Sequence, residues 1–201
     1  MKISISFLLI AIIMVAANSV SAQNKQELLK NKSGVYMSFA DFKAQKLNLE
    51  VDYTKEKHKI KSNDFLNKSD IDVIHMDKKY TFAKKEIYGI RDGKGVDYRF
   101  FENKEYQIIA ADTIFLYLKQ ENVQVKTGKN PQNKSVDKYY LSLSGNSEIL
   151  PLTAANLKQA FPENHKMHDA LDMMFKSDSE LSAYDSFHKT YKIIRFLKGN
   201  L

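Results

Sequence analysis

Ile87-Tyr88-Gly89-Ile90-Arg91-Asp92-Gly93-Lys94-Gly95-Val96-Asp97-Tyr98-Arg99-Phe100-Phe101 carries the clearest local signal in the chain. Asp92-Gly93 stands between two alternating apolar runs, and glycine accepts the positive φ that a tight hairpin turn needs, so two antiparallel strands are expected. Glu102-Asn103-Lys104 marks a second turn. Tyr106 and Ile108 continue the alternation to Asp112-Thr113, where a third reversal is expected, and Thr113–Gln120 and Val123–Lys126 extend the series. Residues 86–126 therefore read as an antiparallel meander. Its rings, Tyr88, Tyr98, Phe100, Phe101, Tyr106, Phe115 and Tyr117, could form a stacking platform for sugars or bases. Cross-strand pairs on the inner face of a sheet are the commoner use of such rings and the one expected here.

Upstream, Gly34-Val35-Tyr36-Met37-Ser38 starts an apolar stretch, and Phe39 and Phe42 follow at helical spacing, with Ser38 as cap. Leu47, Leu49, Val51 and Tyr53 alternate with polar residues, as in a half-buried strand. His58–Lys61, Ile71–His75 and Tyr80–Ala83 are further short strand candidates. Downstream, Thr127 to Ser135 has the composition of a protruding loop, and Val136 to Ser144 is one more strand before Gly145-Asn146 turns the chain. Thr153 caps a helix over Ala154–Phe161, and Pro162 ends it. In the next helix Met167, Ala170, Leu171, Met174 and Phe175 share a face. Ser177-Asp178-Ser179-Glu180 has capping-box spacing and opens a third, with Leu181, Tyr184, Phe187, Tyr191 and Ile194 on one stripe. The expected fold class is α+β: an antiparallel meander of about six to nine strands, curled or partly closed, then two or three helices.

The organisation follows from the other end of the chain. Lys2 precedes an apolar run from Ile3 to Ala17, and Val20-Ser21-Ala22 places small residues at −3 and −1 of a cleavage site, the pattern of a signal peptide over residues 1–22. A membrane span takes about 20 apolar residues, more than this run supplies, and no later run approaches that length. Residues 23–33 form a polar segment. Residues 34–201 are expected to be one α+β domain, mainly β to residue 150 and mainly α from 151. A body of this size buries roughly 70% of its unfolded surface, enough to fold without staples. The absence of cysteine agrees with that, and it excludes thiol catalysis, thiolate-bound zinc and iron–sulfur clusters.

The net charge is +7, from 31 basic and 24 acidic residues. Only Arg91, Arg99 and Arg195 are arginine, whereas readers of base edges and phosphate clamps lean on the planar arginine fork. Specific nucleic-acid binding is therefore not expected. Weak attraction to an acidic surface is the partner that so much lysine permits.

Catalytic patterns are sparse. His165, His168 and Asp169, with Asp172, give i, i+4 pairs on one helix, and Glu163 or His188 could complete a metal site. The spacing departs from the metalloprotease pattern of two histidines four apart. Polar residues on a solvent face explain the same positions without a metal. No Gly-x-Ser-x-Gly elbow occurs, Gly93-Lys94-Gly95 lacks phosphate-loop spacing, and no cofactor is implied.

Gly34-Val35-Tyr36 with Phe39 and Phe42-Lys43, Tyr88-Gly89-Ile90-Arg91-Asp92-Gly93 with Tyr98-Arg99-Phe100-Phe101 and Tyr106, and Leu157-Lys158, Ala160-Phe161, His165 and Phe187-His188 carry a resemblance. They look like the corresponding pieces of a group of small exported proteins of unknown function from Bacteroidota. The resemblance implies a periplasmic, envelope or secreted location and brings no catalytic residues. Three function classes stand open. A non-enzymatic exported module that binds an envelope protein or surface would leave an apolar patch exposed on the meander. A metal-assisted hydrolase would bring His165, His168 and Asp169 together. A lysine-rich binder of acidic glycan or anionic lipid would be sensitive to salt.

Overall fold

The computed structural model describes residues 29–56, 59–62, 68–127 and 130–201. The expected signal peptide, residues 23–28 of the polar segment, His58 of the expected strand and residues 128–129 of the expected loop lie outside these. The fold is α+β, with a large antiparallel sheet that does not close on itself, followed by C-terminal helices. Among the described residues no helix is long and apolar enough to cross a membrane. The described residues divide into two compact units, one made of those up to residue 97 and the other of those from residue 98 onward.

In the first unit, β1 (Lys32–Tyr36) lies between β2 (Asn48–Asp52) and β6 (Gly89–Arg91), antiparallel to both. A Cβ on Gly34 would stand 2.8 Å from the Asn48 carbonyl oxygen, so the β1–β2 approach requires glycine. The pairing slips between Ser33 and Val35, where Leu49 takes φ 49°. This bulge breaks the alternation expected from Leu47 to Tyr53: Val51 is buried and Leu49 only half-buried. Helix α1 (Phe39–Ala44) starts at the expected cap, with the Ser38 hydroxyl accepting from the Asp41 N–H. β3 (Lys59–Lys61), β4 (Asp70–His75) and β5 (Lys78–Ala83) form a separate small sheet that buries Ile71 and Val73. Its β4–β5 turn uses two left-handed residues, Met76 and Asp77.

The turn after β6 corrects one expectation. Gly95 holds the positive φ, at 78°, and Gly93 does not. The reversal is a five-residue loop because the Asp92 carboxylate accepts from the Lys94 and Val96 N–H groups, while the Asp92 N–H donates to the Val96 carbonyl. Arg91 and the Tyr36 hydroxyl bracket it by donating to the two Asp97 oxygens, at 2.7 and 2.9 Å. Burial pushes the Asp97 carboxyl up from its ordinary range, with Arg91 and Tyr36 partly opposing the shift.

The second unit continues β7 (Asp97–Phe101) into β8 (Lys104–Ala111), β9 (Phe115–Thr127), β10 (Asn130–Ser142) and β11 (Leu150–Pro151), each antiparallel to the one before. The meander is present, with Glu102-Asn103 as a two-residue left-handed turn. The loop expected over Thr127 to Ser135 is not: β9 and β10 pair without a break from Thr127↔Asn130 to Phe115↔Ser142. Turn-forming composition yields here to cross-strand pairing. Pro131 sits at the second position of a stretch whose described ladder has β9 on one side only, where proline is tolerated.

Helix α2 (Ala154–Ala160) is capped by Thr153 as expected, and α3 (His165–Met174) by Asn164, whose oxygen accepts from the Met167 N–H. Met167, Leu171 and Phe175 are buried, but Met174 is half-exposed, so the apolar stripe is narrower than the sequence suggested. The long third helix is also corrected. α4 spans only Asp178–Leu181, followed by a small hairpin, β12 (Tyr184–Asp185) and β13 (Thr190–Tyr191), and then α5 (Lys192–Asn200). The Asp185 carboxylate accepts from the His188 N–H, and Lys189 is left-handed at φ 51°, two local interactions that outcompete helix continuation. The helices bury Leu157, Met167, Leu171, Leu181, Ile193 and Leu197 against Leu116 and Leu141 of the strands and Ile114 of the β8–β9 turn.

Candidate functional site

Arg99 of β7 is 4% exposed, and a buried guanidinium has to find acceptors. One terminal nitrogen donates to the Tyr117 hydroxyl at 2.9 Å and to Ser142 Oγ at 3.4 Å, and the other to the Ser147 carbonyl at 2.7 Å. Ser142 Oγ donates to the Ser144 carbonyl at 2.7 Å, so the 2.9 Å contact between the two hydroxyls is donated by Tyr117. The guanidinium also lies over the rings of Phe101 and Tyr117, 5.5 and 5.8 Å from their centroids. Arg99 thus ties the 144–148 turn to β9 and β10 from beneath.

The outer side of that turn faces α2 across a cleft of about 190 Å³. Leu141, Leu143, Leu150 and Ala160 give it an apolar lining, and Ser142 and Ser147 bring the Arg99 network to its wall. Glu148 and Gln159 stand in it as well, and among the described residues neither side chain has a hydrogen-bond or ion-pair partner. Leu143 is 44% exposed. The volume suits one large apolar side chain, below the roughly 300–1,000 Å³ of sites for drug-sized ligands. Ser142 Oγ is already engaged with Tyr117 and Ser144, and the lining contains no histidine to act as base.

The residues singled out for metal are not brought together as a ligand set. His165 and Asp169 are exposed on α3, the rings of His165 and His168 meet edge-on at 5.6 Å, and His168 Nε2 lies 2.9 Å from the Phe161 carbonyl oxygen. His188 is elsewhere, with its Nδ1 2.7 Å from Asp185 Oδ2 and 3.0 Å from Arg195. Hydrogen bonds from the His188 backbone and ring, with Arg195 beside them, hold the Asp185 carboxyl down at about 2. Among the described residues no group of three histidine or acidic side chains is placed to hold a metal.

The meander rings also depart from an exposed patch. Tyr88, Phe100, Tyr106 and Tyr117 are buried, and Tyr106 packs edge-on against Tyr117 and Tyr140. Of the large apolar side chains left in water among the described residues, Met173, Met174, Tyr184 and Phe187 (87% exposed) fall at 173–187, while Met37, Met76, Leu143 and Leu201 lie elsewhere in the chain. Comparison of the chain with protein-family models, curated proteins and solved structures finds no match. Sequence reasoning missed the Arg99 network. Its trace was an arginine inside the alternating run Tyr98-Arg99-Phe100-Phe101 of a chain that otherwise uses lysine.

Proposed function

We propose that the chain is an exported, non-enzymatic module that binds a protein partner through the cleft between the 144–148 turn and α2. One observation carries this: a rigidly backed apolar cleft whose Glu148 and Gln159 have no partner among the described residues and whose Leu143 is exposed. A core aromatic or aliphatic anchor seated in a small pocket beside a polar rim is how protein interfaces concentrate their binding energy. The signal-peptide pattern over 1–22 and the resemblance to exported Bacteroidota proteins support a periplasmic, envelope or secreted location. The lysines favour an acidic glycan or lipid less, because several are engaged with acids of the same chain, as in Lys158–Asp172 at 2.6 Å and Lys198–Asp112 at 2.5 Å.

The test is photo-crosslinking in the cells that make the protein, with a benzophenone amino acid in place of Leu143 or, as reference, of the exposed Lys166 on α3. The expected result is a mature chain beginning near Gln23, in an exported fraction, that forms a discrete higher-mass adduct from position 143 and none from 166. An uncut chain in the cytosol would defeat the export half, and no adduct from position 143 the binding half.

A further inference from the structure

The cleft and the exposed C-terminal side chains complement each other, and from this, resting on the binding reading above, we propose that the occupant is Phe187 of a second copy of this chain. Phe187 stands at the tip of the β12–β13 hairpin, 87% exposed, with its ring edge-on to His188 at 4.8 Å. The tip is braced from behind. Asp185 accepts from the His188 backbone and ring, and Arg195 of α5 reaches the same carboxylate at 3.2 Å. An aromatic side chain presented on a preorganised turn loses little further freedom on docking. A cleft of about 190 Å³ lined by Leu141, Leu143, Leu150 and Ala160 accepts one such ring and little else.

Charge agrees with size. Two residues from Phe187, the Lys189 ammonium is exposed, and among the described residues neither it nor the Glu148 carboxylate of the cleft has an ion-pair partner. With the ring seated, Lys189 of one copy has Glu148 of the other as its unspent counter-charge, which fixes orientation more than it adds affinity. Donor and acceptor are different patches of one surface. Two reciprocal contacts close a two-fold dimer, and one-way contacts extend a chain of copies. A contact built on one anchor is small, so association is weak and depends on concentration.

Sedimentation velocity on the purified mature protein across a range of micromolar concentrations reads this. The wild type is expected to show a concentration-dependent rise in sedimentation coefficient, and Phe187→Ser and Ala160→Trp each to weaken association by roughly tenfold or more. Mixing those two variants restores association, since one supplies the cleft and the other the ring. If Ala160→Trp disturbs the fold, as its melting temperature would show, charge reversal takes its place. Glu148→Lys and Lys189→Glu each weaken association, and the two combined recover it. A wild type that stays monomeric throughout, or association undiminished in Phe187→Ser, overturns the proposal. A monomer in solution that still crosslinks from position 143 to another protein overturns the choice of occupant and leaves the binding function standing.

Discussion

Arg99→Met is expected to lower the unfolding free energy by about 2–3 kcal/mol, read as a lower urea midpoint with an unchanged slope. The side chain is a neutral stand-in of similar reach, so the loss does not come from an empty volume. It comes from the Ser147 carbonyl, which loses its 2.7 Å donor, and from the rings of Phe101 and Tyr117, which lose the cation over their faces. Replacing a whole buried polar group by an apolar one can be neutral when every partner goes with it. Here the partners stay, so the cost stays. Arg99→Lys recovers only part of it, because one ammonium cannot span Tyr117 and Ser147 as the fork does. Combining Arg99→Met with Tyr117→Phe should cost less than the sum of the two, the mark of a shared network. Because Ser142 and Ser147 also wall the cleft, the same substitution loosens the cleft.

Leu171→Ala should cost more, about 3–4 kcal/mol. Leu171 is 0% exposed in the cluster that joins α2, α3 and α5 to Ile114, Leu116 and Leu141, and packed helices on strands leave little room to collapse into the space removed. Met174→Ala, three residues on and half-exposed, should change stability by no more than about 0.5 kcal/mol. Chemical denaturation of the pair therefore separates the buried face of α3 from its wet one. Equal effects would mean that the helix is turned differently from its structure.

The sequence made the meander legible because period-two alternation and the turn at Glu102-Asn103 point the same way, and the Ser38 and Thr153 caps were legible because capping is local. Where it misled, a longer-range interaction won. Asn130 to Ser135 looks like a loop until β9 is set beside it. Leu181 to Ile194 keeps helical spacing, yet Asp185 and Lys189 close a hairpin inside it. The glycine of the 92–96 turn was misplaced by two residues because the Asp92 carboxylate, and not the Asp-Gly pair, organises that loop. The candidate site was the least legible part. The cleft brings together residues from 141 to 160, and its backing depends on Arg99 and Tyr117, which no spacing rule connects to them. His165, His168 and Asp169 drew notice because ligand-type residues close in sequence are easy to see. Their side chains instead lie in water or, for His168, against the carbonyl of Phe161.

The chain has no cysteine, so Leu143→Cys creates a unique thiol at the cleft and Lys166→Cys a unique thiol on the open face of α3. The decisive measurement is the ratio of their maleimide labelling rates, taken once on the dilute purified protein and once on the protein in the intact cells that make it. If the cleft is filled where the protein works, position 143 labels freely in dilute solution and is shielded in cells, while 166 labels alike in both. The same ratio in both settings would contradict the account, for it would mean that nothing sits in the cleft.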